Sequence, residues 1–523
     1  MHLLLVLLGI WCSHASAQYE TLTLDIVNSQ IESYLQLIQN ASLDTRSLPS
    51  GCALACSFMN FALPGQVSYE NSTIYQYEES RYWSVQQESD IPTCRFSPED
   101  ALGVSLAVLT VQVTQCQFAV KSGGHAAFSG ASNIDGGLTI DLINLNQITV
   151  SEDQTQTSVG PGNRWFDVYS ALEPKGLTVI GGRVADIGVG GLTLGGGMSF
   201  FSARYGWACD NVNAYEVVFA DGSIREVTFA TYPDLYFALR GGGNNFGIVT
   251  SFDMATYPQG DLWAGSEVYI YNNETAASLN NALYWLNING PTDDYAQVIL
   301  AYAYSQAEDI YAIASDLQYG KPIAYPPILQ NFTNTPGAIA NSLAVTNLTA
   351  LTVVFNNSNP GGFRQTYWAL MTKNSPTLMS DIISIFMEET DTIKTLPGLL
   401  PALVFQPINT DMISHFSKNG GNALGITTLD GPLVLINLAF SWSSASNDTA
   451  VMQAVRNIVN RSNATAYEQD LGHPFVYQNY AALEQPVFAS YGQENLEKLR
   501  AASKKYDPNG VWQKLQPGYF KLF

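Results

Sequence analysis

Residues 121–142 read KSGGHAAFSGASNIDGGLTIDL, and this stretch decides the fold. It follows the strand-like run CQFAV (116–120) and ends in a second such run, GLTIDLI (137–143). Two further glycine-rich loops follow, from 181 to 197 and from 240 to 247. Dense glycine after a strand lets backbone amides approach an anion closely, and a pyrophosphate is the usual anion. The pattern therefore predicts a pyrophosphate site, while simple turns in a β-rich fold would have the same composition.

The familiar nucleotide motifs are absent from these loops. The segment that begins at Gly188 has Thr193 where a GxGxxG motif needs its last glycine, and no GxxxxGK occurs. A Rossmann or P-loop protein is therefore disfavoured.

The sequence pattern of the chain changes at about residue 262. Before it, short β-rich runs alternate with glycine loops, and AYEVVFADGSIREV (214–227) predicts a hairpin with its turn at Asp221-Gly222. After it, strand-like runs such as QVILAYAY (297–304) and ALTVVF (350–355) alternate with longer helical patterns. This arrangement predicts a second α+β domain with an antiparallel sheet.

The N-terminus predicts a secreted product. Residues 3–11, LLLVLLGIW, are too short to span a bilayer and precede Ala15-Ser16-Ala17, so 1–17 is typical of a signal peptide, with a buried N-terminal strand as the alternative. Asn-x-Ser/Thr glycosylation motifs occur at Asn40, Asn71, Asn273, Asn331, Asn347, Asn356, Asn447, Asn460 and Asn463. The net charge of −22 repels phosphate backbones and anionic lipid, so we expect neither nucleic acid nor membrane as a partner.

The cysteines agree with an oxidising compartment. After removal of the signal peptide five remain, and this odd number leaves at least one unpaired. We expect two bridges among Cys52, Cys56, Cys94 and Cys116, with Cys209 as the free thiol. The spacings do not suit zinc, and no metal site is predicted.

The sequences of these glycine-rich loops resemble those of a known family. The stretch 121–142 resembles the first FAD-binding loop of the vanillyl-alcohol-oxidase (PCMH-type FAD-binding) superfamily, in its berberine-bridge-enzyme-like branch. The resemblance continues in order through VGPGNRWFDVY (159–169), GGRVADIGVGGLTLGGGMSFFSARYGWACDNV (181–212), DLYFALRGGGNNFGIVT (234–250) and YGQENLEKLRAASKKYDPNGVW (491–512). The resemblance covers roughly residues 85–260 and 470–523. In these segments the sequence is most similar to that of fungal members.

The resemblance implies an α+β protein with a two-domain PCMH-type FAD-binding fold and an antiparallel-sheet substrate domain. The expected divisions are a signal peptide (1–17), an FAD-binding domain (18–260), a substrate domain (261–470) and a C-terminal segment that returns to the FAD domain (471–523).

The resemblance also implies FAD bonded covalently to His125, which would raise the flavin reduction potential. Many relatives add a second bond from a cysteine four residues before the glycine at 188; this chain has Val184 there, so we expect a single bond and an oligosaccharide oxidase is disfavoured. The residues expected at the cofactor are Ser122, Gly123, Gly124, His125, Gly188, Gly190, Gly191, Thr193, Gly196, Ile248 and Asn495. Thr193 matches the family position that controls access of O₂.

The implied catalytic base is Tyr480, the second tyrosine of Tyr477-Gln478-Asn479-Tyr480. The alternative is that this side chain only packs in an aromatic segment. A phenol ordinarily has a pKa of about 10, so a base near neutral pH needs a neighbouring cation or strong donors. The sequence does not identify that neighbour.

The implied reaction is a two-electron oxidation of an alcohol on a small organic molecule, typical of fungal secondary metabolism. Tyr480 takes a proton, hydride goes to flavin N5, and O₂ reoxidises the flavin to give H₂O₂. A carbohydrate oxidase, an oxidative cyclase and a flavin-bearing binding protein without turnover remain the alternatives.

Overall fold

The computed structural model of the protein describes residues 22–41 and 48–523. The expected signal peptide lies outside these residues. Within them, no helix has both the length and the apolar character needed to cross a bilayer.

The first sheet explains where the loop after residue 121 lies. Strands Phe118–Lys121 and Leu138–Asp141 are parallel neighbours, and parallel strands require a long crossover between them. Residues 122–137 form that crossover. The full strand order in this sheet is Val67–Ser68, Cys94–Phe96, Leu138–Asp141 and Phe118–Lys121.

The helices around this sheet are held by two disulfides. Cys52 pairs with Cys116 and Cys56 with Cys94, while Cys209 is buried and free. The expected two bridges among the first four cysteines are confirmed, and the structure gives their pairing. The helices of the N-terminal half are Leu24–Ala41, Gly51–Ala62, Thr73–Glu79, Val85–Glu88, Ala101–Thr114, Trp165–Leu172, Val189–Leu194, Ser202–Tyr205 and Pro233–Leu239.

The second sheet is antiparallel and contains the predicted hairpin. Strands Val212–Val218 and Ile224–Thr228 pair around Gly222, whose φ of 79° lies in the left-handed region. The order is Ile148–Val150, Gln156–Val159, Ile248–Pro258, Val212–Val218 and Ile224–Thr228, with Leu177–Val179 also paired to Ile248–Pro258.

The third sheet has nine antiparallel strands and is buried on both faces. Along its strand Leu433–Trp442, Leu435 faces the core shared with the N-terminal half, whereas Val434 and Ile436 face a separate helix-covered core. This alternation explains the continuous apolar run in the sequence. The order is Ala340–Asn341, Leu262–Ile270, Ile310–Tyr319, Ala296–Ser305, Leu400–Ile408, Leu433–Trp442, Arg364–Lys373 and Gly472–His473, with Ala344–Thr346 also paired to Leu262–Ile270.

The remaining helices belong to the second half of the chain and to its end. They are Asn273–Asn289, Gln330–Thr333, Leu348–Asn357, Pro376–Asp391, Thr410–Ser414, Asp448–Glu468, Val487–Ser490, Gln493–Tyr506 and Val511–Lys514. The C-terminal residues contact the N-terminal half: Phe118 N donates to Leu515 O at 2.7 Å, and Asn245 Nδ2 donates to Phe520 O at 3.0 Å. The predicted α+β fold with an antiparallel sheet in its second half is confirmed.

One sequence-based expectation is wrong. Residues 350–355 form part of helix Leu348–Asn357 and not a strand. Asn347 caps this helix by accepting a hydrogen bond from Ala350 N at 2.7 Å. The β-branched residues of ALTVVF favour a strand locally, but the cap and the one-sided burial of Leu351 and Thr352 determine a helix.

Candidate active site

A cleft lies where the glycine loops face the third sheet. Its empty volume, including space open to solvent, is about 1520 Å³. The polar side chains that line it are Ser122, His125, Ser132, Arg183, Asn244, Tyr367, Tyr477, Gln478, Asn479, Tyr480, Gln516 and Tyr519.

The first two glycine loops touch through their backbones at the cleft wall. A Cβ built on Gly123 would lie 2.3 Å from Gly188 N, and one on Gly188 would lie 2.2 Å from Gly123 N. Ser122 links the same loops, because its Oγ accepts from Gly190 N at 3.0 Å and donates to Pro161 O at 2.6 Å. Only glycine permits this approach, which leaves bare backbone along the cleft.

His125 presents a neutral imidazole to the cleft. Its ring stacks on Trp83 with centroids 4.4 Å apart and planes 10° apart, and Trp83 Nε1 is fixed by donating to Asn359 O at 3.1 Å. Burial lowers the pKa of His125 to about 4. Its Nε2 is buried without a hydrogen-bond partner among the described residues. Such orphaned buried atoms are rare and call for a ligand.

A buried ion network supports this loop from below. Arg95 contacts Asp141 at 2.7 Å and Glu78 at 3.1 Å, and Lys121, the residue before the loop, contacts Asp141 at 2.9 Å. Burial alone would raise the pKa of Asp141, but the two cations hold it below its usual range. The network keeps the start of the loop in one position.

Tyr480 is distinguished from the other tyrosines of the cleft by a cation. Arg183 Nη2 donates to Tyr480 Oη at 2.7 Å and to Gln406 Oε1 at 2.6 Å. The hydroxyl of Tyr477 instead accepts from the backbone N–H groups of Gly197 at 3.0 Å and Met198 at 3.3 Å. A negative charge on the Tyr480 oxygen is stabilised by the adjacent guanidinium.

The other three cleft tyrosines lie in surroundings that disfavour a charged oxygen. Burial raises the pKa of Tyr367, Tyr477 and Tyr519 above the ordinary phenol value. None of these hydroxyls has a cation as a hydrogen-bond partner among the described residues. Tyr480 is therefore the cleft tyrosine best placed to carry charge.

Comparison with known proteins shows the family. The FAD binding domain family matches residues 92–228. An FAD-dependent monooxygenase of Cochliobolus heterostrophus is 34% identical over 495 residues, which is 90% of this chain and 94% of that protein. The bifunctional solanapyrone synthase of Alternaria solani is 33% identical over 477 residues, 90% of each chain.

Solved structures agree with this fold. The 6-hydroxy-D-nicotine oxidase of Arthrobacter nicotinovorans superposes with a TM-score of 0.70 at 17% identity, covering 86% of this chain and 96% of that one. A berberine bridge enzyme variant superposes with a TM-score of 0.70 at 15% identity, covering 88% and 97%. The chain belongs to the family of FAD-dependent oxidoreductases that includes the two sequence relatives. It shares its fold with the berberine bridge enzyme.

FAD suits the cleft on three structural grounds. The contacting glycine loops form a cradle that a Cβ would fill. His125 Nε2 is an orphaned buried atom, and both amide atoms of Gln478 are also buried without partners among the described residues. Bound FAD would give these groups the acceptors and donors that they lack.

The expected site residues separate into two groups. Those that line the cleft are Ser122, Gly123, Gly124, His125, Gly188, Gly190, Gly191, Ile248 and Tyr480, and Val184 lines it as well. Thr193, Gly196 and Asn495 do not line it.

These three residues are held by contacts within the fold, outside the lining of the cleft. Thr193 is fully buried on helix Val189–Leu194, and its hydroxyl has no partner among the described residues. A Cβ on Gly196 would meet the Trp207 ring at 2.7 Å. Asn495 Nδ2 donates to Ala423 O at 3.3 Å.

Sequence reasoning missed Arg183 and Gln478. Arg183 lies within the second glycine loop, directly before Val184, where a lone cation among glycines was the available signal. Gln478 lies inside the motif that contains Tyr480. Neither sequence feature shows whether the side chain points into the cleft.

The loop contact yields a first prediction. Gly123→Ala places a methyl group 2.3 Å from backbone, so the loops must separate. Such overpacking costs about 1–3 kcal/mol, and we expect FAD binding to weaken roughly 10- to 100-fold. The flavin-to-protein absorbance ratio of the purified protein measures this. Gly260→Ala is the control, because its Cβ meets no atom within 4 Å; equal flavin content in both variants would contradict the cradle.

Proposed function

We propose that the protein is an FAD-linked oxidase that removes two electrons from an alcohol of a small organic molecule, with Tyr480 as the base. The observation that carries this proposal is the 2.7 Å contact between Arg183 Nη2 and Tyr480 Oη in the cleft that His125 also lines. Bound FAD supplies the two-electron acceptor. Tyr480 Oη receives the hydroxyl proton of the substrate as its C–H bond is broken.

The surrounding residues keep this proton transfer away from bulk water. Tyr367 packs edge-on against Tyr480 with centroids 5.9 Å apart, and Tyr477 does so at 4.9 Å. In this partly enclosed site the Arg183 charge acts on the Tyr480 oxygen with less screening than in bulk water.

The cofactor is proposed to be bonded through His125 alone. The neutral imidazole that results from burial is the nucleophilic form of histidine. Val184 lines the cleft at the second attachment position and has no thiol. The free Cys209 does not line the cleft, and burial raises its pKa well above the ordinary thiol value.

Secretion and glycosylation belong to the same proposal. The two disulfides support an oxidising compartment. None of the nine acceptor asparagines is buried, which supports glycosylation.

Monooxygenation is the second candidate, because the relative from Cochliobolus heterostrophus and several others are named FAD-dependent monooxygenases. An oxidase releases both atoms of O₂ as H₂O₂, whereas a monooxygenase transfers one oxygen atom to the product. Oxidative cyclisation is a third outcome, suggested by the name of the solanapyrone synthase relative.

The test has two stages. Anaerobic mixing of the purified protein with a panel of alcohols should bleach the flavin absorbance for a true substrate. Turnover of that substrate under isotopically labelled O₂ should then give one H₂O₂ per product and no label in the product. Label in the product would establish the monooxygenase instead, and ring closure of the product would identify a cyclase.

A further inference from the structure

Arg183 is a buried cation that is held only by neutral groups. Its guanidinium donates to Tyr480 Oη and Gln406 Oε1 through Nη2. When the amide of Gln297 is oriented to satisfy its own neighbours, its oxygen accepts from Arg183 Nη1 at 3.0 Å. Arg183 is 7% exposed, and no carboxylate among the described residues lies within 4.0 Å of it.

Two of the five N–H groups of this guanidinium therefore have no acceptor among the described residues. A buried donor without a partner is costly, and a buried charge with no counter-charge in contact adds to that cost. Arg183 lines the cleft, so a bound molecule can supply both.

Asp316 is the carboxylate that acts on Arg183 through space. Its own hydrogen bond is with the hydroxyl of Ser266, on the neighbouring strand. Burial raises the pKa of Asp316 to about 6, while the Arg183 charge acts in the opposite direction. Asp316 acts on Arg183 from beyond contact distance, so it leaves the two free N–H groups without an acceptor.

We propose that Arg183 binds an anionic oxygen of the substrate, so that the substrates are small organic acids: carboxylates, enolates or phenolates. This inference rests on the proposed function, since it places the substrate beside Tyr480. The arrangement does not favour a neutral sugar, because a sugar offers no anionic oxygen to the free N–H groups of Arg183.

The geometry also places the acidic oxygen relative to the carbon that is oxidised. Tyr480 Oη and the free N–H groups belong to the same hydrogen-bonded cluster, so a substrate that contacts both has its anionic oxygen close to the reacting alcohol. Arg183 would thus set orientation as well as affinity.

The test compares benzoate with its neutral isostere benzamide as ligands of the holoenzyme, by calorimetry and by perturbation of the flavin spectrum. We expect benzoate to bind the wild type at least roughly 10-fold more tightly than benzamide. Arg183→Gln should weaken benzoate roughly 10- to 100-fold and leave benzamide nearly unchanged. Arg183→Lys, which keeps the charge, should be intermediate, and Asp316→Asn should tighten benzoate by removing the opposing charge.

Equal affinities for benzoate and benzamide in the wild type, or unchanged selectivity in Arg183→Gln, would overturn the proposal. If Arg183→Gln does not accumulate as folded holoenzyme, Arg183→Lys and Asp316→Asn decide, and benzoate binding unaffected by both is again a refutation. Tyr480→Phe separates this inference from the proposed function. It should still prefer benzoate even if its flavin reduction rate shows that the base lies elsewhere.

Discussion

Tyr480→Phe is expected to slow reduction of the flavin by substrate roughly 10²–10⁴-fold, a barrier increase of about 3–5 kcal/mol. The substitution keeps the ring and its edge-on contacts with Tyr367 and Tyr477 but removes the oxygen that Arg183 contacts at 2.7 Å. Hydride leaves an alcohol carbon more easily as the hydroxyl proton departs, so loss of the proton acceptor affects this step directly. Anaerobic stopped-flow absorbance measures the step without interference from O₂.

Tyr367→Phe is the matched control for this experiment. It removes the same atom from the same cleft, but that hydroxyl donates to Asn359 Oδ1 at 3.3 Å and has no cation beside it. We expect a much smaller change in rate, with flavin content retained in both variants. Wild-type reduction rates in Tyr480→Phe would show that another group takes the proton.

His125→Ala is expected to abolish covalent attachment of FAD. Acid-precipitated wild-type protein should stay yellow, and its flavin should map to the single peptide that contains His125. The variant should release all its flavin on precipitation and turn over more slowly, because loss of the bond to the ring lowers the reduction potential. Absorbance of the washed precipitate and peptide mass spectrometry measure these outcomes.

Trp83→Phe is the control for His125→Ala. It keeps an aromatic ring against the imidazole, which stacks at 4.4 Å in the wild type, and so it should retain the bond. Flavin freely extracted from the wild type would refute covalent attachment. Flavin found on a second peptide would refute the argument from Val184.

The sequence alone determined the features that depend on local backbone geometry. The order of the glycine loops predicted the family and the FAD-binding domain, and nine of the twelve expected cofactor and catalytic residues line the cleft. Glycine carries this information because it marks backbone that must approach closely or adopt positive φ. The hairpin at Asp221-Gly222 and the set of paired cysteines followed from similarly local or compositional rules.

Only the tertiary structure decided which side chains meet in the cleft. Arg183 and Tyr480 are 297 positions apart, and Gln406 comes from the third sheet, so nothing in their local sequence encodes their contact. Thr193 could be placed next to the glycine loop but not on a side of its helix, and residues 350–355 became a helix because of their cap and burial. The direction of a side chain, and its contacts with residues far away in the sequence, depend on how the two halves of the molecule pack. Packing is a property of the whole chain.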